Sequence, residues 1–211
     1  MFGNEVEQLV LLYHITHIDN LRSILRNDGL LAQSTVQKEV QTYIDVANSD
    51  IQLRRSRTKI PIATGGNLHD YVPFYFASRS PMLYSVCHQG GIEQEKMIYF
   101  ITNTEMIEQI GLPFVFTDAH AIMIFTNFYD DLAELDRVDW DIMRATIWTD
   151  DIDHPNRKSK RQAEFLVHKR VPLEACIGFA TMNAKMQQEL QMILDKYNSK
   201  IPIGVRRHFY F

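Results

Sequence analysis

Apolar positions fall in short runs whose period changes along the chain. Leu9 to Ile15 is a continuous apolar run and predicts a buried strand. Ile18, Leu21, Ile24 and Leu25 follow at helical spacing, with Thr16 offered as a cap and Asp28-Gly29 as the stop. From Ala32 to about Lys59 the chain turns polar, which predicts a loop or loosely held helix; a polar stretch this long in a compact domain usually has a functional reason. Tyr71 to Ala77 is aromatic and strand-like, and Ser80-Pro81 opens a short helix. Lys96 to Thr102 predicts a strand, Thr104 to Ile110 a helix, and Phe114 to Phe116 another strand. Leu132 to Trp148 carries an interrupted helical pattern, and Thr149 to Lys160 has the composition of an exposed loop. Phe165 to Val167 and Ala175 to Ala180 predict strands, Lys185 to Tyr197 an amphipathic helix, and Val205 to Phe211 a closing strand. Strands and helices mix without a regular βαβ rhythm, so the expected class is α+β.

Composition narrows this picture modestly. A chain of 211 residues with 45% apolar and 11% aromatic content suits a single domain with a real core. A net charge of −4 confines any polyanion site to local clusters, at Arg54 to Lys59, Arg157 to Arg161, and Arg206-Arg207. Cys87 and Cys176 lack metal-ligand spacing, and no run approaches a membrane span. The expectation is a soluble cytoplasmic protein.

The candidate chemistry concentrates in three places. Glu164 is a lone carboxylate at the start of an apolar strand, just after the cationic run Lys158, Lys160 and Arg161. Such a junction suits catalysis on a charged substrate, although many strands begin with a charged residue. The Arg54-Arg55-Ser-Arg57 run reads either as a solvated helix face or as a phosphate grip, since arginine's planar fork matches a diphosphate. His14 and His17 tempt a metal reading, but a strand-to-turn junction does not align them and no third ligand is evident; a hydrogen-bonded buried His14 is the alternative. No GxGxxG, P-loop or nucleophile elbow is present.

Taken together, the blocks Tyr13 to Leu21, Leu68 to Phe76, Arg79 to Tyr84, Gly111 to Asp118 and Gln162 to Val167 resemble the DarT family, in order and along nearly the whole chain. These are bacterial toxins that transfer ADP-ribose from NAD⁺ onto thymidine bases of single-stranded DNA. The resemblance implies an ADP-ribosyltransferase fold, with two small sheets framing an NAD⁺ cleft. It implies that His14, Ile15 and Thr16 hold the nicotinamide and its ribose, and that Ser23 and Leu31 line the rest of the cofactor site. Arg55 matches the family's active-site arginine and Glu164 its catalytic glutamate. Residues 35–57 would close over NAD⁺, and residues 120–164 would form the turn-turn loop that selects the acceptor. Arg79, Met82, His120, Lys158, Lys160 and Arg161 become candidates for DNA contact. A macrodomain antitoxin of the DarG kind is the implied partner, and no metal is required. Residues 35–50 and 149–159 depart most from the family pattern. Transfer to RNA or protein, or a non-catalytic nucleic-acid-binding module, are the other readings.

Overall fold

The computed structural model describes residues 9–39, 43–46 and 49–211; residues 40–42 and 47–48 of the expected NAD⁺-covering stretch lie outside them. The strands are β1 Leu11–His17, β2 Gly29–Leu31, β3 Tyr71–Tyr75, β4 Met97–Asn103, β5 Phe114–His120, β6 Phe128–Tyr129, β7 Ala163–His168, β8 Arg170–Pro172, β9 Gly178–Thr181 and β10 Ile203–Val205. The helices are α1 Leu21–Arg26, α2 Gln33–Glu39, α3 Ser49–Arg57, α4 Pro81–His88, α5 Thr104–Gln109, α6 Trp140–Arg144, α7 Arg157–Lys160 and α8 Ala184–Lys196.

The class is α+β, as the pattern predicts, but the two expected sheets are joined. One sheet runs β10-β9-β4-β1-β3-β7-β5-β6, and a small antiparallel pair, β2-β8, stands apart. The long sheet is nonetheless nearly split. β1 zips along all of β4, from Leu11 opposite Asn103 to His17 opposite Met97, and β3 zips along β7 from Tyr71 opposite His168 to Tyr75 opposite Glu164. β1 and β3 pair only at Tyr13 and Tyr75. Pro73 supplies the physical reason. It has no N–H to give the ladder, and its carbonyl accepts a hydrogen bond from the Nδ1 of His14 at 2.8 Å instead of from main chain. The two halves therefore part just where the cleft is needed.

Period-2 alternation decides which side each residue serves. Leu12, Val72, Phe74, Ile98, Phe100, Phe116, Phe165 and Val167 share one large core with α8, whose Met186, Leu190, Ile193 and Leu194 face it. The other face carries two separate, smaller cores. One gathers Ile15, Tyr75, Leu83, Tyr99 and Tyr210; the other gathers Ile60, Leu68, Tyr71, Val115 and Leu166. In β7, Phe165 and Val167 belong to the large core, so alternation sends Glu164 to the opposite face together with Leu166. A carboxylate is tolerable there only with partners.

Three local expectations change. The helix after β1 is capped by His17, whose ring accepts from the N–H of Asp19 at the start of a 3₁₀ turn, while Thr16 is buried and receives the Asn20 amide at 3.1 Å. The polar stretch before Lys59 holds two helices, α2 and α3. The closing apolar run is not a strand beyond Val205: Arg207–Phe209 is a 3₁₀ turn, and Phe209 and Tyr210 fill the core beside Tyr99.

Candidate active site

Glu164 is fully buried, and each of its oxygens is held. Oε2 accepts from Nη1 of Arg55 at 2.7 Å, and Oε1 accepts from the N–H of Ala121 at 3.2 Å. That second donor exists because β5 loses register between Phe116 and His120, a bulge that turns the chain end inward. Thr117, within the bulge, takes the Glu164 N–H on its hydroxyl at 2.9 Å. His120 ends the bulged segment with its Nε2 4.0 Å from Oε1; burial lowers its pKa, with the Glu164 charge opposing that shift.

Arg55 reaches this carboxylate from α3, whose buried side it occupies. Gln52, one turn earlier, fixes the helix: its Oε1 accepts from His69 Nε2 at 2.9 Å and its amide donates to Asp45 at 3.2 Å. The pair leaves one donor over. Nη2 of Arg55 is buried without a hydrogen-bond partner, a state that buried guanidinium groups rarely keep unless something else docks there.

A cavity of about 750 Å³ opens over this pair. Arg55, Tyr75 and His120 lie among its buried lining, whereas Tyr84 and Ile147 are 43% and 69% exposed and mark its outer side. Met82 and Lys158 also line it. A second, much smaller cavity of about 30 Å³ is lined by His14, Thr16, Ser23, Leu31 and Tyr43. His14 donates to Pro73, a residue lining the larger cavity, so one hydrogen bond at the split in the sheet links the linings of the two spaces. Burial lowers the His14 pKa to about 4, against the opposing pull of the Pro73 carbonyl, so its ring is neutral at ordinary pH. Tyr43 lines the smaller space and hydrogen-bonds Thr16; burial pushes its hydroxyl up to about 12. Its neighbour Ile44 is strapped to Asn20 through two main-chain hydrogen bonds of 2.8 and 2.9 Å.

The sequence-predicted residues thus form two groups. Glu164, Arg55, His120, Met82 and Lys158 gather at the larger cavity; His14, Thr16, Ser23 and Leu31 gather at the smaller. The Ile15 side chain joins neither, because alternation buries it in the core with Tyr75 and Leu83. Arg79 extends its guanidinium over the Phe211 ring, 4.7 Å from the centroid. Lys160 is paired with Asp139 at 2.9 Å. Arg161 is corrected outright: it is 5% exposed and cannot track a strand in solvent. Its guanidinium instead donates to the carbonyls of Arg79, Ile142, Met143 and Ala145 at 2.6–3.2 Å. The carbonyls left open at the end of α6 attract this cation, which ties the 146–150 wall of the cavity to the α4 side. Gln52, Asn20 and Tyr43 escaped sequence reasoning, since nothing in their spacing distinguishes an anchoring amide or a cavity-lining ring from surface residues.

The sequence matches the family described as ssDNA thymidine ADP-ribosyltransferase, DarT, over residues 13–211. The chain belongs to the DarT family. A DNA ADP-ribosyl transferase of Thermus sp. (strain 2.9) is 39% identical over 207 residues, 95% of each chain. A structure of Thermus sp. 2.9 DarT in complex with ADP-ribosylated ssDNA superposes with a TM-score of 0.88 at 37% identity, covering 96% of both chains. Another, in complex with NAD⁺, gives 0.83 at 33% identity over the whole of both. A DNA ADP-ribosyl transferase–DNA ADP-ribosyl glycohydrolase fusion protein of Thermosipho africanus is 30% identical over 118 residues, 56% of this chain and 29% of the fusion. The fold is therefore that of the DarT ADP-ribosyltransferases, and the protein is a DNA ADP-ribosyltransferase.

Proposed function

We propose that the protein is the toxin of a toxin–antitoxin pair and transfers ADP-ribose from NAD⁺ to a thymidine base of single-stranded DNA, releasing nicotinamide. The observation that carries this reading is the buried Arg55–Glu164 pair with a spare arginine donor, beneath a cavity large enough for a nucleotide. The donor set fits NAD⁺. The unpartnered Nη2 of Arg55 suits a diphosphate oxygen, and His14 and Thr16, with Ser23 and Leu31 beside them, suit the nicotinamide end.

Breaking the bond between ribose and nicotinamide leaves positive charge on the sugar, and the bonding pair departs with nicotinamide. Glu164 offers a preorganised negative charge for that moment, held at both oxygens and shielded from water. The thymine ring nitrogen then bonds to the sugar carbon and gives up its proton, for which Glu164 is the acceptor in this reading. Arginine stays charged, so Arg55 acts as grip and orienter. The target base must leave its stack to enter the cavity, which favours a single strand. In this reading residues 35–57 cover the cofactor and residues 120–164 select the acceptor. Modified thymidines would block replication in the cytoplasm, where DNA and NAD⁺ occur together. The pairing of transferase with glycohydrolase in the Thermosipho fusion supports a macrodomain antitoxin that removes the mark.

The test is incubation with labelled NAD⁺ and thymidine-containing single-stranded oligonucleotides. Label should enter the DNA, and Glu164→Ala should abolish it with the fold retained. Label entering only RNA or protein would refute the DNA acceptor, and no nicotinamide release with any acceptor would refute the enzyme.

A further inference from the structure

The aromatic residues on the outer side of the larger cavity have no part in the chemistry above. We propose that Tyr84, Trp148 and Phe211 form a stacking subsite for the nucleobase adjoining the target thymidine in the acceptor strand. The proposal rests on the reading of this cavity as the DNA acceptor site.

Position is the first argument. Arg55, Tyr75 and His120 lie in the buried part of the cavity, where the proposed function puts the NAD⁺ diphosphate and the target base, while Tyr84 lies on its exposed side. Rigidity is the second. Tyr84 is stacked on His88 with ring centroids 4.1 Å apart and 13° between planes. It meets Phe211 at 5.3 Å and Trp148 at 6.5 Å, edge to face, while Trp148 meets Phe211 at 6.2 Å. Arg79 backs the Phe211 ring. These rings are set before any ligand arrives, yet Tyr84 remains 43% exposed, so little ordering is needed when a flat partner covers them.

Charge is the third argument. Lys158 lines the same cavity, and Asp150, also in the lining, bonds the Lys158 main-chain N–H at 2.9 Å rather than its ammonium. A cation beside an open aromatic cluster is how sequence-tolerant sites hold a single strand, with the base stacking and the phosphate paired. Drawing one base into the deep site breaks the stack on both of its sides, and an aromatic surface next door replaces one of the lost contacts.

The experiment uses oligonucleotides with one thymidine, in which either neighbour is replaced by an abasic sugar. Removing one of the two neighbouring bases from the substrate of the wild-type protein should raise KM about 10-fold, with kcat little changed. Trp148→Ala should raise KM for the intact oligonucleotide by a similar factor and then be indifferent to the abasic site, whereas Trp148→Phe should recover most of the loss. Thermal unfolding checks that the variants fold, and the abasic comparison needs no variant. Abasic neighbours that cost nothing, or that cost Trp148→Ala as much as wild type, would overturn the subsite alone. Wild-type protein that labels no thymidine oligonucleotide would overturn the parent reading, and the subsite with it.

Discussion

Two adjacent arginines with the same chemistry have different tasks because a helix turns 100° between them. Arg55 is buried against Glu164, while Arg54 reaches only the carbonyl of Ile122, at 3.2 Å, from a more open position. Sequence reasoning alone expects Arg55→Ala to lose activity at little cost in stability. The buried pair changes that expectation: removing Arg55 strands a carboxylate away from water, which costs about 3 kcal/mol. Arg54→Ala should cost about 1 kcal/mol and leave most activity. Urea unfolding of both variants alongside an activity assay checks this, and equal stabilities would sink it. Arg161 makes a sharper case. A phosphate-contacting arginine contributes to the salt dependence of DNA binding; a buried one bonded to four carbonyls does not. Arg161→Ala should lower stability by about 3 kcal/mol and raise KM for the oligonucleotide without altering the salt slope, whereas Lys158→Ala should flatten that slope with stability unchanged. The reverse pattern would return Arg161 to the DNA surface.

Among elements, the strap at residues 43–46 borders the smaller cavity, which in the proposed function takes the cofactor end. Tyr43 lines the same small space as His14, Thr16, Ser23 and Leu31, so in the proposed function an incoming NAD⁺ would meet this segment. Asn20 is its anchor. Asn20→Ala should speed hydrogen exchange at the Ile44 amide and raise KM for NAD⁺ several-fold with kcat nearly kept, because Glu164 and Arg55 are untouched. Unchanged exchange at Ile44 would remove the strap from the account. Such an element was not legible in the sequence, and the reason is physical. β1, β3, β4, α4 and α8 bury whole faces, so their periods and caps are written in residue type. α3 buries a single arginine, and the strap is held by side-chain amides, which leave no period. The misread C-terminus failed differently. Phe209 and Tyr210 are apolar because they pack on Tyr99, yet a 3₁₀ turn delivers those rings, with the Phe209 carbonyl accepting the Tyr99 hydroxyl at 3.1 Å. Glu164 itself was visible, as a lone carboxylate at the start of an apolar strand just after a cationic run. What made its environment, the bulge of β5 and the parting of β1 from β3, lies in pairing register, to which Pro73 was the one written clue.

At the scale of the molecule, histidines held at least partly out of water bear on its response to acid. Burial is the leading cause that lowers the pKa of His14, to about 4, and of His69, His120 and His168. Each therefore holds a proton less readily in the folded protein than in the unfolded chain, which titrates near the ordinary 6.5. Above that value neither state is protonated and the histidines leave stability unchanged. As pH falls from 6.5 towards 4 the unfolded state gains protons that the folded state refuses, so stability drops; His14 alone contributes up to about 3 kcal/mol of that loss. Asp70 does not offset this: its lowered carboxyl adds a loss of the same sign once the unfolded side chain, near the ordinary 3.8, begins to protonate. Main-chain N–H donation from Asn67 and the Lys169 ammonium hold its carboxyl far below the usual range, so that loss continues to still lower pH. Urea unfolding across this window should therefore show stability rising with pH, and His14→Gln should flatten the curve, since glutamine does not titrate. A wild-type curve level from pH 4 to 6.5 would mean that these histidines take up protons in the folded state, and that the cleft beside His14 is wetter than its packing implies.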